Sequence, residues 1–197
     1  MAQISPFQGL AAGYFEADGH ADIYAVQNSY APIPLVGRFD GGLSEFLQGD
    51  GHGHFTPLPL NETGLVVPGD AKALAVLDLG KDPLPTFVVS RNNSTSMVFR
   101  NRSSFARIPL CVRLRGLPGN PTAVGARVTL SLSDGTSETC EVTAGSGYYS
   151  QSSAACFFGY DLAQTASRIH VRWPSGQESD YPVDRDQNRV TYIQPAP

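Results

Sequence analysis

The chain has 197 residues and a formal charge of −4, with 14 Lys and Arg against 18 Asp and Glu, a size that suits one or two domains. Its 20 Gly and 15 Pro, with only 16% charged residues against about 25% in an average domain, exclude long charged surface helices, and a hydrophobic share of 41% excludes wholesale disorder. No apolar run nears the roughly 18 residues of a membrane-spanning helix, and without a Lys/Arg cluster the chain lacks the electrostatic footprint of a nucleic-acid binder.

Periodicity is close to 2 almost throughout, which predicts strands. In the first half, residues 18–28 run from a turn into an apolar strand that ends in Asn28, and residues 82–92 do the same 64 positions later, ending in Asn92. A further strand with a polar turn follows each copy, at residues 46–55 and 98–103. The Gly49-Asp50-Gly51-His52-Gly53 segment reads as a hairpin turn, because phosphate cradling would require a following helix and a Lys. Two copies of one β-unit thus fill residues 1–103, and a boundary is expected near Ser103-Ser104, before a strand over residues 108–115.

The second half opens with a hairpin that can be read in register. Val128, Leu130 and Leu132 alternate with polar residues, and Ser133-Asp134-Gly135 suits a three-residue loop with Gly in the left-handed position. Leu132 then faces Thr136, Leu130 faces Glu138 and Val128 faces Cys140, so that Cys140 and Val142 point inward. The alternative two-residue turn would bury Ser137, Thr139 and Glu141 instead, at greater cost. Cys140 is then a small core residue or one half of a disulfide with Cys156 or Cys111. Residues 161–167 allow a single helical turn, and residues 168–173 form a strand with Ile169, Val171 and Trp173 on one face.

Residues 145–152, Gly-Ser-Gly-Tyr-Tyr-Ser-Gln-Ser, form the most distinctive polar surface. Tyr148 and Tyr149 can present flat apolar faces, Ser146 and Gln151 hydrogen bonds, to a sugar or a peptide; alternatively Tyr148 and Gln151 satisfy neighbouring turns. Arg127 and Arg172 face outward on their strands and complete the candidate ligand-binding set. No Ser, His and carboxylate spacing suggests a catalytic triad, and no G-x-S-x-G elbow is present, so no catalytic residue is assigned. His20, His52, His54 and His170 read as exposed loop or strand residues. Asn61, Asn92, Asn93 and Asn101 each begin an N-x-[ST] sequon.

These motifs resemble a known pairing. The first half resembles FG-GAP (VCBS-type) repeats, the blades of β-propellers. The second is similar to the ASPIC/UnbV domain, through residues 120–128 (NPTAVGARV), 144–152 (AGSGYYSQS), Phe158-Gly159 and 171–176 (VRWPSG). The resemblance implies an all-β fold in which about two partial propeller blades (1–103) precede a small antiparallel β-sandwich or barrel-like domain (104–197). It further implies a non-enzymatic binding or adhesion module of an exported or cell-surface protein, located outside the cell or in the envelope, with a protein or carbohydrate partner. A rival is an accessory protein or enzyme of secondary metabolism; a third reading is a structural spacer.

Calcium loops of FG-GAP blades place carboxylates at alternating positions, because a hard cation needs about 6 to 8 oxygens. At the corresponding positions the first loop offers Glu16, Asp18 and Asp22 and the second only Asp78 and Asp82, which implies at most a weak calcium site. Two blades are fewer than the 4 to 8 that close a propeller. The expectation is a C-terminal part of a longer chain that packs on further blades or self-associates.

Overall fold

The computed structural model describes residues 5–31, 33–102, 107–184 and 186–195. The chain is all-β, as its periodicity predicts. In the first half, β1 (Phe7–Gly13), β2 (Asp22–Gln27), β3 (Glu45–Gly49) and β4 (Phe55–Leu58) form an antiparallel sheet in chain order. A second sheet takes β5 (Ala71–Leu77), β6 (Thr86–Arg91) and β7 (Ser94–Arg100), also in chain order. The turn between β3 and β4 is the expected hairpin, in which Asp50 Oδ1 accepts from the His52 and His54 amides.

The repeat is structural. β1 and β5 start at 7 and 71, and β2 and β6 at 22 and 86, each pair 64 residues apart. The register also slips at matching places, between Phe7 and Gly9 in one hairpin and between Ala71 and Ala73 in the other. The two sheets share one apolar cluster built on Phe15, Tyr24, Val26, Phe46, Leu74, Phe87 and Val89. Phe15 and Phe87 meet edge to face at 4.9 Å, the arrangement the aromatic quadrupole favours. Gly9 lets the sheets close up, since a Cβ there would lie 2.8 Å from the Leu74 amide nitrogen.

The second half is a sandwich. One sheet has the order β10 (Ser137–Glu141), β9 (Arg127–Leu132), β12 (Ala166–Arg172), β13 (Glu178–Pro182); the other has the order β11 (Ala155–Asp161), β8 (Arg107–Arg115), β14 (Arg189–Ile193). Their inward residues, among them Leu110, Val112, Val128, Leu130, Ile169 and Trp173, fill a second cluster. The 128–140 register is the expected one, with Val128 opposite Cys140 and Leu130 opposite Glu138. Gly135 has φ 88°, and the Leu132 amide donates to the Thr136 carbonyl at 2.9 Å. Cys140 is joined to Cys156, tying an edge strand of one sheet to the other sheet, while Cys111 is buried and free.

Two expectations are corrected. The sandwich is not wholly antiparallel, because β14 runs parallel to β8. No helical turn forms near 161–167, where the Asp161 carboxylate accepts from the Ala163 amide at 2.8 Å and closes a local turn that competes with helix. The only helix among the described residues is the short α1 (Leu60–Thr63), stopped by Gly64 at φ 67°. The expected boundary at Ser103-Ser104 lies outside the described residues.

The two halves meet along loops. The β1–β2 loop presses Ala17 onto Gly159, where any Cβ would overlap it. Tyr14 bonds through its hydroxyl to both backbone groups of Thr139. On the other side, the Ser153 amide donates to the Val76 carbonyl at 2.9 Å, so the chain before β11 covers the open edge of β5.

Candidate functional site

The β10–β11 connection carries the candidate surface. Just past β10, Val142 is still buried and its amide donates to the Ala126 carbonyl; the chain then leaves the sandwich and returns at Ala155. Gly145 (φ 68°), Gly147 (φ 101°) and Tyr149 (φ 50°) bend it through left-handed conformations. Ordinary side chains seldom tolerate that region, and it costs of order 1–3 kcal/mol for a non-glycine residue. The loop is held there by its own polar side chains. Gln151 accepts from the Gly145 amide and donates to the Ser152 carbonyl at 2.9 Å. Ser146 Oγ accepts from the Ser152 amide at 3.0 Å, and Ser150 donates to the Leu74 carbonyl of β5 at 2.7 Å.

Ser146 and Gln151 therefore brace the loop, and the two tyrosines face solvent. Tyr148 is 48% and Tyr149 82% exposed, and their ring centroids lie 4.3 Å apart. A hydrogen bond that the Tyr148 hydroxyl donates to Tyr149, and then the Tyr149 charge, raise the Tyr148 phenol above its ordinary value.

Arg127 and Arg172 are exposed, as their strand parity requires, and stand directly opposite each other. Glu141 pairs with Arg127 on one side and Glu178 with Arg172 on the other, a row in which opposite charges offset the central like pair. Among the described residues neither arginine has a hydrogen bond or ion pair to the 145–152 loop, so the six candidate residues form two groups.

The acidic loop disperses its carboxylates. Asp22 is fully buried; one oxygen accepts from the Phe15 and Glu16 amides and the other from the Gly49 amide. Burial pushes its carboxyl up to about 7, against the Gly49 hydrogen bond and with the help of the Asp18 and Glu16 charges. Glu16 accepts from Gln48 at 2.5 Å, and burial raises it too. Asp18 caps the His20 amide and lies 3.7 Å from Arg107. Among the described residues no three His, Cys, Asp or Glu side chains gather to hold a metal ion.

In the corresponding second loop a cation is already supplied by the chain. Arg189 reaches both oxygens of Asp78, at 2.7 and 2.8 Å, and the Asp82 carbonyl at 2.7 Å. Arg113 adds an ion pair at 2.6 Å. Burial works to raise Asp78, but the Arg189 and Gly80 hydrogen bonds and the two guanidinium charges hold it below the usual carboxylate range.

Several features escaped sequence reading. Glu138 is 3% exposed; it accepts from the Gly159 amide at 3.3 Å, and its other oxygen has no hydrogen-bond partner. Burial, opposed by that amide and aided by the Asp18 charge, pushes it up to about 8. Its inward position was available from the pairing with Leu130. Between β3, β4 and α1 on one wall and β6 and β7 on the other lies a cleft of about 920 Å³. Phe46 and Phe99 line it, together with the polar residues Glu16, Gln48, Glu62, Arg100 and Arg102. No pattern within a single strand signals a space between two sheets.

The geometry defines a disulfide-stapled β-sandwich that carries a braced aromatic loop and is docked on a duplicated β-hairpin unit. Residues 116–194, which hold that loop and both arginines, match the family described as ASPIC and UnbV. No curated protein matches the chain.

Proposed function

We propose that this chain is a non-catalytic binding module of an exported or cell-surface protein, and that Tyr148 and Tyr149 form its contact surface for a carbohydrate or protein partner. The observation that carries this reading is a pair of adjacent, solvent-facing tyrosines on a backbone braced by Ser146, Ser150 and Gln151. Rigid aromatic groups bind at low entropic cost, because little freedom is left to lose. The Cys140–Cys156 disulfide supports an oxidising compartment, and the family match of the segment that holds the loop agrees with an extracellular setting. The strongly raised carboxyls, Asp22 and Glu138, are buried in packing and offer no accessible acid–base pair. The resemblance of residues 1–103 to FG-GAP blades adds an adhesion role to the same reading.

Affinity electrophoresis through gels cast with neutral or acidic polysaccharides tests it, with immobilised extracellular-matrix proteins as the second probe. The wild-type chain is expected to be retained by one probe, and Y148A/Y149A to lose that retention with an unchanged melting temperature. Equal retention of the double variant would place the contact surface elsewhere.

A further inference from the structure

A second recess, of about 390 Å³, lies where the two halves meet, beside the 145–152 loop. Strand β1 lines it from the first half, and β10 with the chain that returns towards β11 lines it from the second. Both β1 and β10 are outer strands of their sheets, so the recess is a seam between two sheet edges.

Its wall combines two chemistries. Ala11, Val76 and Phe157 supply apolar surface, while Ser146, Ser152 and Ser153 supply hydroxyls. Each of those hydroxyl oxygens is fixed by a backbone amide. Ser146 Oγ accepts from the Ser152 amide, Ser152 Oγ from the Val76 amide and Ser153 Oγ from the Asp78 amide, all at 3.0 Å. A serine hydroxyl also has one proton to give, and among the described residues none of the three donates to a protein group. The three residues are half-buried. The recess therefore presents three positioned donors beside an apolar wall.

A matching ligand carries acceptor oxygens on a small body with an apolar face. The volume stands at the lower end of the roughly 300–1,000 Å³ of binding pockets, which is room for a small unit and not for the surface of a folded partner. Glu141 is the one side chain lining the recess that is charged at neutral pH, and its sign disfavours an anion. A neutral sugar ring meets these conditions, because its hydroxyl and ring oxygens accept hydrogen bonds and its C–H faces are apolar.

We infer that this recess binds one uncharged sugar unit, with the Ser146, Ser152 and Ser153 hydroxyls donating to its oxygens. This rests on the binding-module reading and names the partner of the same loop as a neutral glycan. Tyr148 and Tyr149 do not line the recess, so the loop would contact the glycan on two sides.

Saturation-transfer NMR of the full chain tests this, with methyl glucoside, methyl galactoside and N-acetylglucosamine as neutral probes and glucuronic acid as the charged one. Transfer is expected to at least one neutral probe and not to glucuronic acid. Ala12 and Thr143 are exposed and line opposite sides of the recess, so Ala12→Trp and Thr143→Trp each fill it without entering a core. Each variant is expected to lose the transfer at an unchanged melting temperature, and the second guards against a folding defect in the first. Y148A/Y149A is expected to keep the transfer. If that double variant also kept its polysaccharide retention, the tyrosine surface would fail while the recess stood. Absence of transfer to every neutral probe, equal transfer to glucuronic acid, or transfer that survives both Trp variants would each overturn the proposal. Retention by a matrix protein without any sugar signal would overturn it in favour of a peptide partner.

Discussion

The two hairpin loops of the first half occupy the same place in a repeat of 64 residues, yet their carboxylates are neutralised in opposite ways. In the loop before β2, Asp22 is buried among backbone amides with Asp18 and Glu16 nearby, and its carboxyl rises to about 7; Glu138 of β10, which feels the Asp18 charge, rises to about 8. In the loop before β6, Asp78 is clasped by Arg189 and Arg113 and is held low. The loops are equivalent but the carboxylates are not, since at that offset Asp22 corresponds to Thr86 and Asp78 to Tyr14; the groups that surround each carboxylate decide its ionisation. Asp22 takes its amides from its own loop and from Gly49 at the end of β3, whereas Asp78 meets guanidinium groups from β8 and β14.

The largest effect is expected from breaking the clasp. Asp78→Ala leaves two guanidinium groups without their shared anion, and losing one partner of a buried pair costs about 3–5 kcal/mol; Arg113 is partly solvated, which points to the lower end. The melting temperature is expected to fall by roughly 2–4 °C per kcal/mol in a chain of this size. A change below 2 °C in a thermal scan would show that the clasp adds nothing. Reduction of Cys140–Cys156, which are 16 residues apart, comes next, since opening a loop of about 15 residues removes about 3 kcal/mol. Scans with and without dithiothreitol, compared with C140S/C156S, measure it, and the first half has no equivalent staple.

The pH dependence separates the two loops by sign. Asp22 and Glu138 have raised folded values, so their contribution is full below the ordinary carboxyl range and is lost as pH rises, through about 7 for Asp22 and about 8 for Glu138. Asp78 is lowered, so its contribution is present at neutral pH and lost only in strong acid. Glu138→Gln is therefore expected to be more stable than wild type at pH 8, by about 4 kcal/mol, and to keep only a small fraction of that advantage at pH 5. Parallel denaturant titrations at the two pH values check this, and equal gains at both would refute burial of a neutral Glu138. The smallest effect is reserved for the exposed loop: Tyr148→Ala is expected to change stability by less than about 0.5 kcal/mol, whereas Gln151→Ala, which frees the Gly145 amide, costs about 1 kcal/mol.

Local and periodic features were open to sequence reading. Alternation at Val128, Leu130 and Leu132, with Gly135 in the turn, sets the β9–β10 register because a one-residue slip would exchange the two faces. The same parity put Glu138 inward beside Leu130, a consequence that is visible only when every inward position is followed through. The 64-residue offset between Asn28 and Asn92 marked the duplicated hairpins. Near Asp161, where a helical turn was expected, the carboxylate takes the Ala163 amide in a local turn instead.

What the sequence by itself determined is the all-β character, the repeat, the inward face of the first sandwich hairpin and the small, turn-forming composition of the 145–152 loop; each depends on neighbours a few residues apart or on simple alternation. What only the tertiary structure decided are the contacts between segments distant in the chain: Arg189 on Asp78, 111 residues away, the choice of Cys156 over Cys111 as the partner of Cys140, the parallel pairing of β14 with β8, and the use of Ser146 and Gln151 as braces. Each of these pairings turns on which strand edge or loop approaches which, and that geometry follows from the closing of two cores at once.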